Sequence, residues 1–214
     1  MKKRDLILIG GGGHCKAVID VAECAGYNIL GVIDPFMEKG ENVLGYPILG
    51  GDDEIEEYIH QASFVIAMGF ITNPRIRQRL YKKVLELGGV METIIAPTAH
   101  VSRYATLGEG TIIMHNVCVN ARSVIGNNVI VNTCANIEHD VVIGDNCHIS
   151  TGAIVNGNCC IGSSVFVGSR TVILNKVAIC DDVIIGAGSV VCKSIDSRGI
   201  YYGNPSKFIK TNEN

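Results

Sequence analysis

Tryptophan is absent from this 214-residue chain, aromatic residues make up only 6% of it, and prolines number five. No apolar run approaches the roughly 20 residues that a membrane-spanning helix needs. No block of lysine and arginine occurs either. With 18 basic against 21 acidic residues and a net charge of −3, a nucleic-acid-binding surface is excluded as the main business of the protein. The nine cysteines form no CxxC pair and no even framework, so they read as reduced thiols rather than as disulfides or a zinc knuckle. The opening Met1–Gly11 has only Leu6–Ile9 as an apolar stretch before a glycine cluster. That is too short for the core of a signal peptide and reads as a first strand. The expectation is a cytoplasmic protein without a membrane span.

Two features are abundant instead. Apolar residues are 47% of the chain, and glycines number 25, about 12% against a usual ~7%. Both trace to a repeat. From Val101 to Val191, every sixth residue is Val, Leu or Ile, and the residue four places on from each is small or β-branched, as in Ala105, Thr111, Val117 and Ser123. A period of six fits neither a helix nor an alternating strand. It fits a parallel β-helix in which each hexapeptide is one short strand and a tight corner. The aliphatic then fills the interior, and the glycines that follow it (Gly108, Gly126, Gly144, Gly162, Gly168, Gly186) are expected to take the corner dihedrals.

The first ninety residues follow a different rhythm. Strands are predicted at Leu6–Ile9, Ile29–Ile33 and Phe64–Met68, and helices at Ala17–Ala25, Asp52–His60 and Pro74–Leu87. This alternation implies a small parallel sheet with crossovers, joined to the repeat near Met91–Pro97. The segment Gly10–Lys16 leaves the first strand and opens the first helix, where backbone amides and the helix dipole cradle anions. The third glycine of a dinucleotide fingerprint is replaced by Cys15, while Asp34 ends the second strand where a ribose or base contact is usual. About three strands make half of a dinucleotide fold, suited to a mononucleotide; a tight turn that binds nothing is the alternative.

The hexapeptide string resembles the left-handed β-helix acyltransferases, whose coils take 18 residues. With the Gly-rich loop and the segment Ile137-Glu138-His139-Asp140, nearly the whole chain is similar to the sugar O- and N-acetyltransferases of the sialic acid and bacillosamine type. The resemblance implies an α/β half-Rossmann-like domain (1–94) that binds a nucleotide sugar, followed by an all-β left-handed parallel β-helix (95–214). It implies a homotrimer with sites between subunits, acetyl-CoA as co-substrate, and no metal. By the same match His139 is the general base and Asp140 its orienting acid. His148, Gly157, Gly168, Ser169, Gly186, Ala187 and Lys207 fall to the acetyl group and CoA, while Gly13, His14, Lys16, Asp34 and Asn132 fall to the substrate.

Stacking at 18 residues places His139 between Ala121 and Gly157, with open space expected above and below the ring. His148, half a coil away, could join it only across a subunit boundary. His60 is expected at the surface and His100 in a structural place. The substrate implied is a UDP-4-amino-4,6-dideoxy sugar, N-acetylated for surface glycan synthesis; the alternative is O-acetylation of a sialic acid or related sugar. Two other classes remain open at this point. A γ-type carbonic anhydrase would hold zinc with three histidines, and a non-catalytic module would bind a sugar nucleotide or act as a scaffold.

Overall fold

The computed structural model describes residues 5–212; the basic opening Lys2–Arg4 lies outside them. The chain starts with β1 (Asp5–Ile9), whose buried Leu6–Ile9 make it an interior strand of a sheet. The helix α1 (Gly13–Cys24) and β2 (Asn28–Ile33) follow. Next come a hairpin of β3 (Asn42–Val43) and β4 (Tyr46–Gly50), the short α2 (Ile55–Tyr58), β5 (Ser63–Ile66) and α3 (Arg75–Glu86). The sheet order is β3-β4-β2-β1-β5. β4, β2, β1 and β5 are parallel, and only β3 runs antiparallel. The hairpin was not predicted, because Asn42–Gly50 carries a proline and three polar or glycine positions that hide a two-sided edge. α1 also begins four residues earlier than expected. Glycine is tolerated there, since the first-turn amides need no intrahelical partner.

From Ile94 onward the chain winds into a three-sided prism. Ile94–Ile95 pairs with Ile112–Ile113, and strands of two residues then recur every six, each hydrogen-bonded in parallel to the strand 18 residues away. From Ile113 onward the second residue of each pair, such as Val119, Ile125 or Val131, points inward and is buried. Small polar residues inside the column are satisfied by the next coil. Thr111 Oγ1 donates to the Gly126 carbonyl (2.8 Å) and Ser123 Oγ to the Glu138 carbonyl (2.7 Å). Phe208 and its neighbours close the base as a hairpin of Gly199–Tyr202 and Lys207–Lys210.

The glycine rule needs correction. Positive φ does recur every six residues, but three places after the aliphatic: Gly110, Asn116, Arg122, Asn128, Cys134, Asp140 and so on to Gly188. The glycines directly after the aliphatic are there for closeness. A Cβ on Gly108 would lie 2.5 Å from the Gly126 carbonyl atoms, and one on Gly168 would lie 2.5 Å from the Ala187 nitrogen. No side chain fits where successive coils turn this tightly.

The three faces differ in what covers them. One, carrying Ile94, Ile112, Ile130, His148, Phe166 and Ile184 outward, is buried by the chain's own N-terminal half. The second presents the half-buried Cys118, Asn136, Ile154 and Val172. The third presents Thr106, Val124, Val142, Cys160 and Ala178 in one vertical stripe, all exposed, with Val124 and Val142 each at 44%.

Candidate active site

His139 and Asp140 follow the inward Ile137 at a corner of the prism. Asp140 takes the left-handed conformation (φ 58°), which aspartate tolerates better than bulky residues. That backbone turn lets an adjacent acid reach back: Asp140 Oδ2 lies 2.8 Å from His139 Nδ1. Its other oxygen meets Arg122 Nε at 3.0 Å. Arg122 occupies the same place one coil earlier, so the 18-residue spacing that gave Gly157 also finds this residue. A proton on Nδ1, donated to the carboxylate, leaves Nε2 of a half-exposed ring free as a base.

The space on the Gly157 side is not open. A Cβ at Gly157 would fall 2.7–2.8 Å from His139 Cε1 and Nε2, so the imidazole lies over this glycine. Gly168 and Gly186 likewise lack side chains for protein reasons, the latter because Tyr202 fills the position. Ser169 shares a 2.9 Å hydroxyl contact with Ser150, and Ala187 is exposed. Lys207 lines a cleft of about 300 Å³ at the base of the prism, with Lys193, Tyr201, Pro205 and Phe208.

His148 sits one corner away, on the covered face. Its Nδ1 donates to the Phe70 carbonyl (2.8 Å), and Asn132 Nδ2 donates to its Nε2 (3.2 Å). Phe70 and Phe166 pack against the ring, and the His14 ring centroid is 6.3 Å away. The chain's own N-terminal half therefore joins His14, Asn132 and His148 in one seam, apart from His139. His14 does not line the open side of the glycine loop as expected: its Nε2 is buried, with no hydrogen-bond partner among the described residues. The loop's open side consists of Gly12 and Gly13, where nothing lies within 4 Å, and the exposed Lys16. Asp34 tethers this loop, accepting from the Gly11 amide (2.6 Å) and the Phe36 amide (2.8 Å).

Burial lowers both seam histidines to about 4, with the Arg77 charge adding to the effect on each and His148 to that on His14; the Phe70 carbonyl opposes it at His148. Both are neutral at pH 7 in the folded protein. Because the folded values lie below the ordinary 6.5, the unfolded chain binds more protons between pH 6.5 and 4. Stability is therefore full above pH 6.5 and falls through this window, by on the order of 3 kcal/mol for the first proton taken up. Chemical denaturation at pH 7.5, 5.5 and 4.5 checks this, and His148→Gln should flatten the slope.

His60 and His100 are exposed. His115 pairs through Nε2 with Asp20 of α1 at 3.0 Å, while Thr98 Oγ1 lies 2.8 Å from its Nδ1. With Cys24, this is the one cluster of three potential metal ligands among the described residues. It contains a single histidine, unlike the three-histidine zinc site of the carbonic anhydrase alternative. No described helix is long and apolar enough to cross a membrane.

A prism of 18-residue coils bearing a carboxylate-held imidazole at its corner defines an acyltransferase of the hexapeptide type. Residues 5–84 match the PglD N-terminal domain family. The acetyltransferase domain of PglB from Neisseria gonorrhoeae is 32% identical, with a TM-score of 0.90 over 97% of this chain and 100% of that one. A variant of perosamine N-acetyltransferase from Caulobacter crescentus, solved with CoA and GDP-perosamine, is 32% identical over 96% of each chain, with a TM-score of 0.89. WeeI from Acinetobacter baumannii shares the fold at 23% identity, with a TM-score of 0.85 over 97% of this chain and 100% of that one. The chain belongs to the family of hexapeptide-repeat sugar N-acetyltransferases with a PglD-type N-terminal domain.

Proposed function

We propose that this protein transfers acetyl from acetyl-CoA to the amine of a UDP-4-amino-4,6-dideoxy sugar, in the cytoplasm, for surface glycan synthesis. Residues 1–94 act as the nucleotide-sugar module and 95–214 as the transfer module. The observation that carries the reading is the His139–Asp140–Arg122 chain, which leaves one imidazole nitrogen free at an exposed corner. His139 Nε2 takes a proton from the sugar amine as its lone pair attacks the thioester carbonyl. The tetrahedral intermediate then expels the CoA thiolate, which is protonated to the free thiol. Asp140 steadies the imidazolium formed in between.

The diphosphate would lie over the open amides of Gly12 and Gly13 beside Lys16, at the N-terminus of α1. CoA would run past the backbone of Gly168 and Gly186, by Ser169 and Ala187, towards Lys207 and the basal cleft. The apolar stripe from Thr106 to Ala178 supports a homotrimer. It would bring His139 of one protomer towards the Asn132–His148 seam of the next. The test is a panel of UDP-, GDP- and dTDP-linked 4-amino sugars and free sialic acid with acetyl-CoA, read by thiol release. Turnover confined to a UDP-linked amine is expected. Turnover only with another nucleotide overturns the uridine assignment, turnover only with sialic acid overturns the N-acetyl assignment, and none with any overturns the whole reading.

A further inference from the structure

Arg77, on α3, is 1% exposed and heads the fully buried side chains by size. Among the described residues no carboxylate pairs with it. Its guanidinium instead donates to four carbonyl or amide oxygens on two parts of the molecule. Nη1 reaches the Ile66 carbonyl (2.7 Å) and the Met68 carbonyl, at and just beyond the end of β5. Nη2 reaches Asn128 Oδ1 (2.6 Å) and the Asn128 carbonyl (3.2 Å), at a corner of the prism. A buried cation is destabilising relative to an apolar side chain of similar size, so packing alone gives no reason for one here. Its effect is to rivet the segment 66–70 to the column.

That segment ends in Phe70, whose carbonyl can only accept. The proton of His148 is therefore on Nδ1, and Nε2 carries a lone pair. The lone pair can be met only by a donor, which Asn132 Nδ2 supplies. Asn132 Oδ1 in turn accepts from the Thr133 amide at 2.8 Å. The carboxamide is thus fixed at both ends, and its second Nδ2 hydrogen has no protein partner among the described residues. We propose that Arg77 is a positioning residue: through the Phe70 carbonyl and the tautomer of His148 it holds the Asn132 amide as a donor to the carbonyl oxygen of the transferred acetyl group. The inference rests on the proposed function, in which the Asn132–His148 seam of one protomer faces His139 of the next across the transferred group. It also recasts His148, which meets Asn132 as an acceptor and so orients a donor rather than acting as one at Nε2.

The groups facing His148 are consistent with this. His14 comes from α1, Arg77 from α3, Phe70 from the segment after β5, and Asn132 and Phe166 from neighbouring coils. Only Arg77 carries a permanent charge, and that charge opposes protonation of the ring.

Two variants test the proposal in the full-length protein. Arg77→Lys keeps the charge but cannot hold both sides at once. Asn128→Gly removes the carboxamide acceptor at a backbone site (φ 54°) that glycine suits. Nitrogen-15 imidazole spectra should show His148 protonated on Nδ1 in the parent. In either folded variant the signal should move towards the Nε2–H form. In acetyl transfer, kcat should fall about tenfold with the KM for the nucleotide sugar unchanged, and by less than about twofold when Asn132 is already alanine. A folded variant that keeps the Nδ1–H signature overturns the proposal, as does one whose loss is undiminished in the Asn132→Ala background. If Asn132→Ala alone leaves turnover intact, the placement of Asn132 by the acetyl group is what fails, and with it the proposed donor. The spectra still decide whether Arg77 sets the tautomer of His148.

Discussion

Replacing His139 with asparagine is expected to lower kcat for acetyl transfer by about 10²–10⁴-fold, the usual contribution of a positioned general base. The fold should survive, because the ring is half exposed and lies over Gly157, whose missing side chain makes room for it. Binding of CoA and nucleotide sugar should also survive, since neither is expected to depend on Nε2. Asp140→Asn should cost a comparable amount. With its oxygen held by Arg122 Nε, the amide turns its NH2 group to His139 Nδ1, which places the ring proton on Nε2 and blocks the base. Thiol release at saturating substrates, with melting temperature as the control, checks both. Parental turnover by a folded His139→Asn protein would remove the base from the mechanism.

The second large effect is on assembly. Val142 lies mid-stripe on the exposed face, stacked between Val124 and Cys160. Changing it to glutamate puts one unpaired charge from every protomer into the proposed interface, at a cost of at least ~3 kcal/mol each. Because its side chain points outward, the monomer's own core is left intact. Sedimentation should show a folded monomer in place of a trimer, and acetyl transfer should disappear with the trimer. A monomeric Val142→Glu protein with parental activity would show that each site is complete within one chain.

The prism was legible because its period is strict: one aliphatic every six residues has no other economical three-dimensional meaning. The same spacing put Gly157 beside His139 and would have found Arg122 beside Asp140. Which residue takes the corner dihedral was misread, since glycine answers two different needs and only φ separates them. In the N-terminal half, periodicity located β1, β2, β5 and α3 to within a few residues but missed the β3–β4 hairpin, whose strands are short and broken by glycine and proline. Asp34 was found next to the glycine loop, yet as the loop's tether. His14 lies on the inner side of α1's first turn, which no local pattern reveals. Nothing in the sequence pointed to Arg77. One of three arginines in a basic helix reads as solvated surface, and only the fold buries it against Asn128.

The most direct measurement of the shared-site account uses mixed trimers of His139→Asn and Asn132→Ala chains, each well below a quarter of parental turnover on its own. If the base of one protomer works with the Asn132–His148 seam of its neighbour, random assembly restores intact sites where the two variants meet in the right order, giving about a quarter of parental activity. If both groups serve one site within a single chain, every site in the mixture lacks one of them, and mixing recovers nothing.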